Sequence, residues 1–357
     1  MNLVVLPGDG IGPEITVAAL QTLERVTQAL SLDLAFDVRQ IGLASLRSAG
    51  TTFPPSVLDA CRRADGIILG PVSTADYPAR EEGGINASAE LRIQLDLYAN
   101  VRPSRTRDGL AHWGRTPMDL VIVRENTEGF YADRNMYRGS GEFMPTPDLA
   151  LSVRKISGFA SSRIARAAFD LAAVRRRHVT AVHKANVLGM TEGLFLREVR
   201  EFAKAHPDIA YDEQLVDSMA ALLVRDAARF DVIVTTNMFG DILSDEASEL
   251  SGSLGLAASI NFGDRHCMAQ AQHGSAPDIQ GQNKANPISL ILSAAMLIDW
   301  LGRRHNDARL TSAARIIETS VDAVLEKPTT RTIDLGGPLG TTAFTTELCK
   351  VIDACSP

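Results

Sequence analysis

Five short apolar runs punctuate the chain: NLVVL (2–6), GIILG (66–70), DLVIVRE (119–125), HVTAVHK (178–184) and DVIVTT (231–236). Each is brief and rich in β-branched residues, which predicts buried strands. Between them apolar positions recur at helical spacing, as in PEITVAALQTLERVTQAL (13–30) and SRIARAAFDLAAV (162–174). Pro13 suits the first turn of its helix, where a missing N–H costs nothing. Strand–helix alternation of this kind predicts an α/β fold with a largely parallel sheet. One segment, 132–158, breaks the rhythm. It is rich in Gly and Pro and partly alternating, and it reads as a protruding arm.

Length and charge narrow the class. A chain of 357 residues with 45% hydrophobic content can bury a large core and suggests about two domains. The net charge is −7, and the only basic run, RRR at 175–177, is short enough to be a solvated helix end. Nucleic-acid binding is therefore disfavoured. The apolar stretch ISLILSAAMLIDWLG (288–302) carries Asp299 and is too short to span a bilayer. Four scattered cysteines and an N-terminus without a signal-peptide pattern predict a cytoplasmic protein.

Candidate chemistry gathers at element ends. LPGDGIGPEI (6–15) looks like a nucleotide-binding turn, but Pro13 stands where a dinucleotide fingerprint needs its third glycine. A tight strand–turn–helix junction remains, which could serve a ligand or simply turn the chain. Arg92, Arg102 and Arg124 could hold a di- or tricarboxylate, since guanidinium pairs bidentately with carboxylate; ordinary ion pairing explains any one of them. Lys184 closes a strand and could be a desolvated base, or a lysine snorkelling at a strand end. Asp217 could be a helix cap. In NMFGDILSDEASE (237–249), Asp241 and Asp245 sit four residues apart. On a helix they share a face and repel. A divalent cation could offset that, and a solvated acidic face near a helix start explains the same residues. His273, Asp278 and Asn286 lie in a polar loop, HGSAPDIQGQNKANP (273–287), where an aspartate could accept an adenosine ribose.

Taken together, LPGDGIGPE, LDLYANVRP, VRENTEGFYA, VHKANVL, FDVIVTTNMFGDILSDEASELSGSLGL and HGSAPDI…ANP resemble, in order and spacing, the isocitrate/isopropylmalate dehydrogenase family of β-decarboxylating dehydrogenases. The resemblance covers nearly the whole chain. It implies a two-domain α/β fold that is not a Rossmann fold. A discontinuous cofactor domain (1–98 with 252–357) would surround a central dimer-forming domain (99–251). It implies NAD and Mg²⁺ or Mn²⁺ as cofactors, a small hydroxy di- or tricarboxylate as substrate, and a homodimer with shared active sites. Arg92, Arg102 and Arg124 would bind the malate carboxylates. Asp241 and Asp245, with Asp217 from the other subunit, would hold the metal, whose Lewis acidity favours decarboxylation. Tyr131 and the other subunit's Lys184 would be the acid/base pair. Gly274, Ser275, Ala276 and Ile279, with His273, Asp278 and Asn286, would bind the adenosine half of the cofactor.

The stretch before Arg92 departs from the family patterns. Isopropylmalate enzymes carry leucines there, whereas this chain has Asn86, Ser88 and Ala89. Isocitrate enzymes carry serine six and asparagine four residues before the arginine; here Asn86 and Ser88 swap those types. A polar substituent is expected, of isocitrate or homoisocitrate type. The alternatives are 3-isopropylmalate and tartrate or D-malate. Ser73 stands where relatives usually carry glycine. Asp278 followed by Ile279 predicts NAD, because NADP-preferring members carry lysine and tyrosine there. Two readings of other classes compete: a noncatalytic regulatory subunit, and a metal hydrolase built on Asp241 and Asp245.

Overall fold

The structure, a computed structural model, describes residues 1–131, 133 and 135–355. In chain order the first elements are β1 (Asn2–Leu6), α1 (Gly12–Ala29), β2 (Ala35–Val38), α2 (Gly42–Ala49), α3 (Pro55–Arg63), β3 (Gly66–Leu69) and α4 (Ala87–Gln94). There follow β4 (Ala99–Arg105), β5 (Asp119–Glu125), β6 (Glu142–Thr146), β7 (Leu149–Ser152), α5 (Gly158–Ala173), β8 (His178–His183), α6 (Thr191–Ala205), β9 (Ala210–Leu215), α7 (Val216–Asp226), β10 (Val232–Thr235) and α8 (Asn237–Ser251). The chain closes with β11 (Ile260–Phe262), β12 (Cys267–Gln270), α9 (Ile288–His305), α10 (Ala308–Glu326) and α11 (Thr341–Cys355).

These elements form two units. One comprises 1–95, 107–111 and 252–357. In it β1 lies between β2 and β3, all parallel; β12 runs parallel to β3 and antiparallel to β11. Helix α9 is apolar on most sides and largely buried, which is why its sequence looks membrane-like. No helix among the described residues is long and apolar enough to cross a membrane.

The other unit comprises 96–106 and 112–251. Its strands run β4–β5–β10–β8–β9, with only β4 antiparallel. All five apolar runs noted in the sequence are strands. Strands with mixed or polar composition, such as β4 with Pro103 and β9 (AYDEQL), carry no such signature. The expected arm contains an antiparallel hairpin of β6 and β7 whose strand residues are all exposed. Ala132 and Arg134, also in that stretch, lie outside the described residues. The RRR run is more than a solvated helix end. Arg175 bonds Asp231 and Asp119, and Arg176 donates to the Phe230 carbonyl, fastening the end of α5 to its neighbours.

One core of the second unit joins Leu120 and Ile122 of β5, Ile233 of β10, Leu223 of α7, Leu243 and Ala247 of α8, and Phe230. Phe230 is fully buried. Phe230→Ala should therefore cost about 3–5 kcal/mol, read as a lower urea midpoint with an unchanged slope.

Candidate active site

The pairing of β4 with β5 sets two arginines on one sheet face. Asn100 lies opposite Arg124 and Arg102 opposite Ile122. Cross-strand partners share a face, as do residues two apart, so Arg102 and Arg124 are diagonal neighbours. Both are almost wholly buried, Arg124 at 2% and Arg102 at 6% exposure. Two buried guanidiniums side by side repel each other, and each loses hydration worth several kcal/mol. Desolvation first, and then the charge of Arg124, push the Arg102 pKa down to about 10.

Helix α8 supplies the compensating charge. Asp241 and Asp245 lie one turn apart on it, and the Arg102 guanidinium reaches both at 3.2 Å. Arg102 also donates to Ser244 Oγ at 2.8 Å. Arg124 donates to Asp241 through Nη1 and to Asn237 Oδ1 through Nε at 2.9 Å. The like-charge aspartate pair is thus held by arginines on its inner side. Neither aspartate is in the first turn of α8, so the helix start does not account for them. Their side chains remain 43% and 53% exposed. Gly240 lets the arginine lie against the helix: a Cβ there would fall 2.7 Å from Cβ and Cγ of Arg124.

Tyr131 completes this cluster. Its hydroxyl accepts from Arg124 Nη2 and donates to Asp241 Oδ2 at 3.3 Å. Lys184 and Asp217 form a separate pair, Nζ to Oδ1 at 2.5 Å. That bond holds the Asp217 carboxyl below its usual range. Asp217 sits in the first turn of α7 without capping it. Among the described residues of this chain, no three His, Cys, Asp or Glu side chains gather as a metal site. One chain brings Asp241 and Asp245 together, but not Asp217.

The other unit holds the remaining predicted residues. Asn86 caps α4, its Oδ1 accepting from Ala89 N at 3.1 Å. Ser88 is buried and donates to Gln270 Oε1 at 3.0 Å, and Arg92 Nη2 reaches the same oxygen at 3.2 Å. The glycine turn LPGDGIGPE grips the 273–287 loop. Ile11 N donates to Ser275 O at 2.8 Å, and at Gly10, with φ +57°, a Cβ would fall 2.0 Å from that oxygen. Glu14 accepts from Asn283 N, Ala285 N and the Thr341 hydroxyl. Asp9 accepts from Leu43 N, Ser73 N and the Tyr77 hydroxyl. Ser73 Oγ and Ser275 Oγ lie 2.8 Å apart.

Within that loop Ala276 adopts a left-handed conformation with φ +38°. His273 Nδ1 lies 3.0 Å from Gly274 O, and burial lowers its pKa. Asn286 is engaged internally, donating to Asp334 at 2.9 Å and accepting from Ile288 N at 3.0 Å. Asp278 and Gly274 are exposed, while Ile279 is partly covered. Sequence reasoning passed over Gln270, Asp9 and Glu14. Both acids stood inside a quoted motif, and Gln270 ends a strand three residues before His273, so position alone could have marked them.

Known proteins align with this chain end to end. The 3-isopropylmalate dehydrogenase of Saccharolobus solfataricus is 38% identical over 337 residues, 94% of this chain and 95% of that one. The isocitrate/homoisocitrate dehydrogenase of Thermus thermophilus is 42% identical over 353 residues, 98% of each. The crystal structure of isocitrate dehydrogenase from Methylococcus capsulatus superposes with a TM-score of 0.87 at 38% identity, covering 98% of this chain and 99% of that one. The chain is thereby placed among dehydrogenases that act on CH–OH groups. Residues 2–352 match the isocitrate/isopropylmalate dehydrogenase family, and the chain belongs to it.

The packing of Gly240 on Arg124 is testable. Gly240→Ala should destabilise the protein by about 1–3 kcal/mol. It should also lower kcat/KM more than it lowers stability at assay temperature, because the displaced side chain is Arg124. Urea unfolding and steady-state kinetics check the two effects.

Proposed function

We propose that this protein carries out the NAD-dependent, metal-dependent oxidative decarboxylation of a 3-substituted malate. The observation that carries the reading is the pair of buried guanidiniums, Arg102 and Arg124, set against Asp241, Asp245 and Tyr131. Arginines desolvated to this degree and aimed at one helix face suit a carboxylate ligand. Arg92, tied to Gln270, is the third proposed carboxylate ligand.

The aspartates fit a divalent cation. Their donors are hard carboxylate oxygens, as Mg²⁺ or Mn²⁺ requires, and both side chains reach solvent. Asp241 and Asp245, with Asp217 of a second copy, would hold the ion. When bound it supplies Lewis acidity at the oxygen of the carbon being oxidised. NAD supplies the hydride acceptor. Lys184 of the second copy takes the hydroxyl proton, and Tyr131, oriented by Arg124 and Asp241, returns a proton to the carbon that loses CO₂. The unit containing 252–357 is the proposed cofactor domain, with Asp278 against the adenosine ribose.

A homodimer follows from this assignment. Within one chain Lys184 pairs with Asp217, and among the described residues no third His, Cys, Asp or Glu joins Asp241 and Asp245 as a metal group. The exposed apolar residues Phe143, Met144, Leu149 and Leu151 on the hairpin offer further interface.

The substrate's 3-substituent is proposed to be polar, with isocitrate or homoisocitrate ahead of tartrate or D-malate, and 3-isopropylmalate third. Ser88 and Gln270 support this order. Covering such groups with an isopropyl group without a partner costs about 1–3 kcal/mol. It forgoes the roughly 2 kcal/mol that apolar walls return.

Three measurements test the proposal. NADH formation should be seen across isocitrate, homoisocitrate, 3-isopropylmalate, D-malate and tartrate. No turnover of any would favour the regulatory-subunit reading, and a preference for 3-isopropylmalate of about tenfold, 1.4 kcal/mol, would overturn the polar pocket. NAD should exceed NADP in catalytic efficiency, and Asp278→Lys with Ile279→Tyr should shift the balance toward NADP; equal efficiency in the wild type contradicts the assignment. Mixing inactive Lys184→Ala and Tyr131→Phe subunits should regenerate activity, whereas an active monomer at low concentration would rule out shared sites.

A further inference from the structure

Lys184 follows directly on β8, at the head of a turn that leads into α6. Its carbonyl accepts from Val187 N at 3.0 Å and Leu188 N at 2.9 Å. Its own N–H donates to Glu192 Oε2 at 2.9 Å. The next amide, Ala185 N, donates to His183 Nδ1 at 3.0 Å. Both peptide groups that flank the Lys184 Cα are therefore held, which fixes the direction in which its side chain leaves the backbone.

Glu192 is an unusual holder. An acid in the first turn of a helix ordinarily stays in water or caps its own helix. This one is 0% exposed and accepts from a residue eight positions earlier. Its other oxygen meets Arg154 Nη2 at 2.5 Å, and that arginine is itself buried. Arg154 also donates to Thr236 Oγ1 at 2.8 Å and lies over the rings of Phe130 and Phe239, at 5.6 and 5.1 Å. Phe130 precedes Tyr131, and Phe239 lies in the first turn of α8, which carries Asp241. Buried ion pairs rarely stabilise a fold more than apolar residues of the same volume. This one links the segments that carry Lys184, Tyr131 and Asp241.

We propose that Glu192, braced by Arg154, is a positioning residue that fixes the backbone of Lys184, an inference that rests on Lys184 being the base. Two double variants isolate the tether: R154M/E192Q and R154M/E192L. Both remove the ion pair, but only glutamine keeps an oxygen for the Lys184 N–H. With Mg²⁺, NAD and the best substrate of the five-compound panel, R154M/E192Q should keep kcat within about threefold of wild type. R154M/E192L should lose at least about tenfold in kcat with the KM for NAD unchanged. Equal loss in both variants, or retention of kcat in R154M/E192L, overturns the tether. The second measurement needs no variant. In the wild type the Lys184 amide should exchange its hydrogen at least about a thousandfold slower than an open amide, and exchange at the open rate overturns the proposal even where a variant fails to fold. Lys184→Ala with unchanged kcat would instead overturn the assignment of the base, and the exchange result would stand apart from it.

Discussion

The candidate site in the second unit answers to one constraint: the Arg124 guanidinium lies where water does not reach it. A guanidinium at 2% exposure needs polar partners in place of water. Asn237, Asp241 and Tyr131 each accept one of its N–H groups, and the first two lie on α8. The helix approaches so closely that a Cβ at 240 would displace Arg124. Its second aspartate is then brought to Arg102. Replacing such a cluster with apolar residues would generally leave a protein as stable or more so, so its presence speaks for binding rather than for folding.

That constraint also resolves the acidic pair on α8. Asp241 and Asp245 repel at helical spacing, yet a single guanidinium lies 3.2 Å from both. The inner side of the pair is neutralised by protein, and both side chains stay partly exposed. A metal is therefore not needed to make the helix tolerable, and the cation assignment rests on oxygen chemistry and on family rather than on electrostatic necessity.

Much of the fold was legible because buried parallel strands need continuous apolar runs. The five runs are short and rich in β-branched residues, which marked them as strands. Strands with one polar face left no such mark: β4 carries Pro103 and two arginines, and β9 carries two acids. The arginines and aspartates could be named from the sequence, but not their mutual contact, which depends on the register of β4 on β5. Asn86 shows the same limit: its type and position suggested a ligand contact, but not that its oxygen also caps α4. Gln270 escaped notice because a single amide at a strand end has no signature until its neighbours are known.

The grip of the glycine turn on the 273–287 loop has a consequence for synthesis. Ile11 and Ser275 are joined through their backbones, and Glu14 bonds residues 283, 285 and 341. In the same unit β3 pairs with β12. A growing chain emerges from its N-terminus, so β3 waits for more than half of the sequence with one edge unpaired, a state prone to wrong pairing. The second unit faces no such wait, since all its strands have emerged by residue 235. Translation thus imposes an order on the two units. The 273–287 loop is among the later parts able to form, since Glu14, which holds it, also bonds Thr341.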